Sequence, residues 1–131
     1  MTFLARYSIL ESMKLSKYEL FEIHADFCKT IANPKRLLIV NALKDKEMTV
    51  SQFAELLDLP IANISQHLKA LRDHDIVVTR KEGQKVYYSL NNPRLLDACE
   101  IISEIILDLN KQKGKIIRQD LREFKVTAHA K

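Results

Sequence analysis

Two short helical patterns meeting at Asp58-Leu59-Pro60 constrain this 131-residue chain more than any other feature. Between Thr49 and Arg72, Val50, Phe53, Ala54 and Leu57 recur at three- and four-residue spacing, so they share one helix face. Thr49 or Ser51 is placed to cap that helix, because an N-cap hydroxyl satisfies a backbone N–H left without a partner. Proline disfavours the α conformation in the residue before it, so Pro60 ends the first helix. It is also tolerated in the first turn of the next, where its missing N–H costs nothing. The second pattern puts Ile61, Ile64, Leu68 and Leu71 on one stripe. Its outer face shows Ala62, Asn63, Ser65, Gln66, His67 and Lys69. Asn and Gln can pair bidentately with adenine edges, Ser can bond either base type, and a small Ala admits a thymine methyl. A helix of this kind, second of a tightly joined pair, is what a helix-turn-helix sets into the major groove. The plainer alternative is an ordinary helix pair with a solvated face.

The residues just after this pair favour the first reading. Ile76 to Arg80 is short and β-branched, and Lys85 to Leu90 is β-rich as well. Lys81-Glu82-Gly83-Gln84 lies between them, with Gly83 free to take positive φ, so a β-hairpin is expected. Arg80, Lys81, Gln84 and Lys85 gather at its tip, where they would lie over the phosphate backbone or adjacent minor groove. Glu82 dilutes that charge, and a merely solvated hairpin is the alternative. A lone hairpin is marginal, so it must pack on the preceding helices. Helix-turn-helix followed by a basic hairpin is the winged-helix order.

The flanking segments read as helices. Ser16 caps one running to Ile31, with Glu19 completing a capping box and Leu20, Phe21, His24, Phe27, Cys28 and Ile31 at helical period. Asn33-Pro34 breaks it, and a second helix runs to about Leu43, apolar enough at Leu37, Leu38, Val40 and Ala42 to sit centrally. Asn91-Asn92-Pro93 opens a long helix to about Lys111, whose face carries Leu95, Ala98, Cys99, Ile102, Ile105, Ile106 and Leu109, broadened by Ile101. So large an apolar surface suggests pairing with a second copy together with burial against the first helix; burial against the first helix of the same chain alone is the plainer alternative. The expected organisation is an N-terminal extension over 1–15, a domain over 16–112, and a basic tail over 113–131. Within that tail Lys115 to Lys125 is amphipathic.

Composition narrows the function classes. The formal charge of +4 suits a nucleic-acid partner. No apolar run is long enough for a membrane span, and no signal-peptide pattern opens the chain. With only Cys28 and Cys99, the expectation is a reducing cytoplasm rather than a disulfide framework. Histidines at 24, 67, 74 and 129 are scattered, and no nucleophile–base pair or phosphate-cradling glycine loop can be assembled, so no enzyme and no cofactor are expected.

From Phe21 to Asn110 the chain resembles the ArsR/SmtB family of dimeric winged-helix transcriptional repressors. Lys29-Thr30-Ile31-Ala32-Asn33-Pro34-Lys35-Arg36-Leu37-Leu38-Ile39, Ala62-Asn63-Ile64-Ser65-Gln66-His67-Leu68-Lys69-Ala70-Leu71 and Glu82-Gly83-Gln84-Lys85-Val86-Tyr87-Tyr88-Ser89-Leu90 carry the resemblance, in order and spacing. It implies a homodimer, paired through its first and last core helices, on a pseudo-palindromic duplex operator that an inducer releases. The family's arsenic-type cysteine pair has no counterpart in Glu47 to Gln52. Its zinc-type pattern keeps Asp97 but has Cys99 for the histidine, and the later positions fall at Asn110 and Lys113, so no metal site of that type is expected. The resemblance leaves Cys28 and Cys99 as candidate sensor thiols. Cys99 fits the family's thiol-sensing pattern better, since the usual first cysteine would lie nearer Val40 or Asn41. Three alternatives stand beside this: passive packing of both thiols, a thiolate metal site of His24, Cys28 and Cys99 in a metal-responsive repressor, and a winged-helix protein-interaction module without DNA binding.

Overall fold

Residues 15–113 are described by a computed structural model. The order is α1 (Lys17–Ile31), α2 (Pro34–Ala42), α3 (Val50–Leu57), α4 (Ile61–Asp73), β1 (Val77–Glu82), β2 (Lys85–Leu90) and α5 (Arg94–Gln112). The expected extension up to residue 14 and the amphipathic tail segment Lys115 to Lys125 lie outside the described residues. The described residues divide into two compact units, one ending at Asn33 and one beginning at Pro34.

In the first unit, α1 opens on the expected capping box. Ser16 Oγ accepts from the Glu19 N–H at 3.1 Å, and a Glu19 carboxylate oxygen accepts from the Ser16 N–H at 3.4 Å. Phe21 is 55% exposed, and His24 and Cys28 are exposed as well, so the periodic face of α1 is only partly covered.

The second unit is built around an apolar centre. Ile39, Val40 and Leu43 from the α2 region, Phe53 from α3, Ile64, Leu68 and Leu71 from α4, and Ile76, Val77 and Leu90 from the hairpin are all buried. Helix α4 packs against α2, α3 and β1, which makes it the hub of the unit. Helix α2 is central as its composition implied, with Ile39 and Val40 wholly enclosed. Thr49 is the residue that caps α3: its hydroxyl accepts from the Gln52 N–H at 3.3 Å, and the Gln52 side-chain oxygen accepts from the Thr49 N–H at 2.9 Å.

Helix α3 ends at Leu57, three residues before the proline. Asp58 takes the left-handed conformation at φ 52° and ψ 51° as its C-cap, and Pro60 is the N-cap of α4 rather than its first helical residue. Asp45 and Asp75 also sit at positive φ, 57° and 58°. Left-handed positions favour glycine, and short polar Asp is among the few side chains that tolerate them. In a chain with two glycines, aspartate fills this role at three reversals.

Strands β1 and β2 pair antiparallel from Val77↔Leu90 to Glu82↔Lys85. The expected four-residue link is therefore two residues, Gly83-Gln84, with Gly83 at φ 61° as a two-residue hairpin requires. Backbone pairing continues through Arg80, Lys81 and Glu82, so Arg80 and Lys81 belong to β1 and not to the turn. A third segment joins the sheet: Met48 and Tyr88 exchange both backbone hydrogen bonds, at 2.9 and 2.8 Å.

Candidate nucleic-acid interface

Helix α4 has two unlike faces. Ile64, Leu68 and Leu71 have no exposed surface and pin the helix to the core. Ile61, expected on the same stripe, is 57% exposed, because it stands in the first turn before the helix reaches its packing partners. Ala62, Ser65, Gln66 and Lys69 are exposed in a row, while Asn63 and His67, four residues apart, are half-buried along one flank. The sequence-expected outer face is thus a fully open strip bordered by two partly covered polar groups. Lys69 is ion-paired with Asp73 one turn on, at 2.8 Å, and its ammonium holds the Asp73 carboxyl below the usual carboxylate range. Both groups are solvated, so the pair is weak and yields readily to a stronger anion.

His67 is held from outside its own helix. The Arg36 Nε–H on α2 donates to His67 Nδ1 at 3.2 Å. Partial burial, together with the positive charges of Arg36 and Lys35, lowers the imidazole's pKa, so its neutral form is favoured.

On the hairpin, Arg80 is already committed. Its guanidinium makes a paired hydrogen-bonded contact with the Glu47 carboxylate, bonds Glu82 at 2.8 Å, and lies 4.7 Å from the centre of the Tyr87 ring opposite it. The hydrogen bonds from Arg80 hold the Glu47 carboxyl low, and those two carboxylates push the guanidinium pKa up. Arg80 therefore ties the hairpin to the segment before α3. Lys81 alternates to the other side of the strand, and Lys81, Gln84 and Lys85 are exposed. Among the described residues, no ion pair engages Lys81 or Lys85.

Sequence reasoning missed four contacts: Arg36–His67, Arg80–Glu47, Arg80–Glu82 and the Met48–Tyr88 bridge. Only the Arg80–Glu82 pair had a local signal, two residues apart on one strand face. The others join residues far apart in the chain.

Cys28 is exposed on α1 and Cys99 is half-buried on α5; neither forms a disulfide. The passive-packing alternative places both thiols at an interface between chains, where the exposure of Cys28 in one chain is compatible with it. No group of three or more His, Cys, Asp or Glu side chains is gathered in a metal-holding arrangement among the described residues. No described helix is long and apolar enough to cross a membrane. Helix α5 buries none of its residues, and Ile101, Ile102, Ile105, Ile106 and Leu109 are each about half exposed.

Comparison with known proteins gives this arrangement a context. The profile described as "Bacterial regulatory protein, arsR family" matches residues 33–79, the span from α2 into β1. The nodulation protein NolR of Rhizobium meliloti is 37% identical over 99 residues, covering 76% of this chain and 81% of that protein. The transcriptional repressor PagR of Bacillus anthracis is 37% identical over 90 residues, covering 68% and 90%. Among solved structures, a homodimeric winged helix-turn-helix DNA-binding domain from Mycobacterium bovis superposes with a TM-score of 0.63 at 27% identity, over 70% of this chain and 88% of that one.

Proposed function

Because this chain belongs to the arsR family of bacterial regulatory proteins and is a winged helix-turn-helix DNA-binding regulator, we propose that it is a dimeric repressor. It occupies a pseudo-palindromic operator and is released by an inducer. The observation that carries this reading is the open strip of α4, polar and exposed on one side and locked to the core on the other. A rigid helix with such a face can enter a major groove without rearranging the fold. Ala62, Asn63, Ser65, Gln66 and His67 are the base-reading candidates. Lys69, Lys81, Gln84 and Lys85 are the phosphate contacts. Arg80, expected beside them, serves first to hold the wing, since its guanidinium is bound to two carboxylates and a ring.

A second copy is the natural cover for the exposed isoleucines of α5, since one chain leaves about half of each of those side chains uncovered. Twofold pairing would present two α4 helices to half-sites about one helical turn, roughly 34 Å, apart. The working unit is the helical and winged core over 16–112, with residues 1–15 and 113–131 as appendages, acting in the cytoplasm.

Purified protein titrated against duplexes from its own promoter and against random duplex tests this. Preference for the promoter is expected, with affinity for every duplex rising as salt falls. Equal binding to all duplexes, or none, overturns it; a flat response to salt would favour a protein-interaction module.

Exposure of the Cys28 thiol favours a particular inducer class. On this reading oxidants or sulfur species reach the chain through Cys28 and Cys99 and weaken operator binding. Operator affinity of reduced, oxidised and polysulfide-treated protein, beside Cys99→Ser, decides it. Identical affinity in every state removes the thiol reading and leaves the repressor standing.

A further inference from the structure

Arginine carries only hydrogen-bond donors, whereas a neutral imidazole has one donor nitrogen and one acceptor nitrogen. The Arg36 Nε–H lies 3.2 Å from His67 Nδ1, so Nδ1 has to be the acceptor and the ring proton has to sit on Nε2. Protonating the ring fully would put a hydrogen on Nδ1, facing the arginine donor. The charges that bear on the imidazole, Arg36 and Lys35, both come from α2 and both oppose that protonation. The half-buried ring stays on the flank of the α4 strip beside Asn63, one residue from exposed Gln66.

We propose that Arg36 is a positioning residue for DNA reading: by donating to Nδ1 it fixes His67 in the Nε2–H tautomer, so that α4 offers its duplex a hydrogen-bond donor of set identity. A free histidine presents either nitrogen as donor or acceptor and discriminates poorly between the two kinds of group on DNA. Fixed as a donor, His67 selects an acceptor. Phosphate oxygens and the acceptor edges of bases (guanine N7 and O6, adenine N7, thymine O4) share that chemistry. The inference rests on the DNA-reading role of α4 proposed above, but the tautomer can be measured without DNA.

The test has two arms. In the first, long-range proton–nitrogen NMR of the free protein labelled at histidine nitrogens reports which nitrogen of His67 carries the proton. The expected result is protonation at Nε2 alone in the wild type, and a mixture of tautomers in Arg36→Met. A wild-type imidazole protonated at Nδ1, or a tautomer unchanged by Arg36→Met, overturns the proposal. A wild-type ring protonated at Nδ1 overturns the proposal even if that variant folds poorly, and the role of Arg36 then rests on the second arm.

In the second arm, the promoter duplex is titrated with the wild type, Arg36→Met, His67→Gln and the double variant. Glutamine places an amide N–H near the reach of Nε2 and has no need of Arg36. Arg36→Met should therefore lower affinity roughly three- to tenfold in the wild-type background and hardly at all in the His67→Gln background. Equal losses in both backgrounds overturn the positioning role. Scanning the duplex one base pair at a time separates the two acceptor sources. A loss confined to one pair marks a base edge, and a uniform loss marks a phosphate. Should the wild type prefer no duplex, the regulatory reading fails, whereas the tautomer measurement stands by itself.

Discussion

Gln66 stands on the open strip of α4 with an amide able both to donate and to accept, which is what an adenine edge requires. Gln66→Ala should relax preference at one base pair by about 1–3 kcal/mol, read by titrating single-substitution duplexes. Lys81→Ala should instead weaken all sequences alike and reduce the salt slope by about one, since a phosphate contact carries no sequence information. His67 adds a pH effect whose sign is fixed. Its pKa is lowered in the fold, so the unfolded chain binds the proton more readily and stability rises with pH. That contribution should be fully present above the ordinary histidine value of about 6.5 and be lost as pH falls through the lowered value. Thermal melts of the wild type and His67→Gln across pH 5 to 8 should converge in slope if any other group is responsible. At this scale the sequence was legible wherever exposure follows from helical period, as at Ser65 and Gln66. It misled at Ile61, because period says which face a residue is on but not whether a neighbour reaches the end of that face.

Helices α3 and α4 stand or fall through a few enclosed groups. Phe53 has no exposed surface, and Phe53→Ala should cost about 3–5 kcal/mol in denaturant unfolding. Thr49→Ala removes one half of a capping box and should cost about 1 kcal/mol. Both helices were legible because caps, period and proline are local signals. The wing was legible only in outline. Charged Lys81 and Glu82 look like loop, yet the ladder continues through them until Gly83 reverses the chain, since exposed strand positions accept charge without loss of backbone pairing. The strand-like segment at Met48 left no trace in its own residues, and pairing between distant segments is decided only when the chain has folded. Nor did its neighbours reveal the whole of Arg80's surroundings: basic, near a turn and next to Lys81, it reads as a phosphate contact, and the Glu47 carboxylate that it also holds comes from elsewhere in the chain.

In the molecule as a whole, α5 separates what one chain can do from what it leaves undone. Its apolar face was fully legible as a face; its cover was not, because one sequence does not show a second copy. With Ile101, Ile102, Ile105, Ile106 and Leu109 about half exposed, placing a carboxylate at Ile105 should leave a single chain folded but drive sedimentation toward monomer. It should weaken operator binding through loss of pairing rather than through any base contact. In the proposed dimer a partner chain would stabilise only the folded form, so the thermal midpoint should rise with protein concentration in the wild type and stop doing so in that variant. The same exposed helix makes the regulator sensitive to its own abundance. In the proposed paired form, the population able to read a two-fold site depends on encounters between chains, so halving the number of chains removes more than half of the readers. A cell could thus set a threshold for this switch by dosage alone, before any inducer is present.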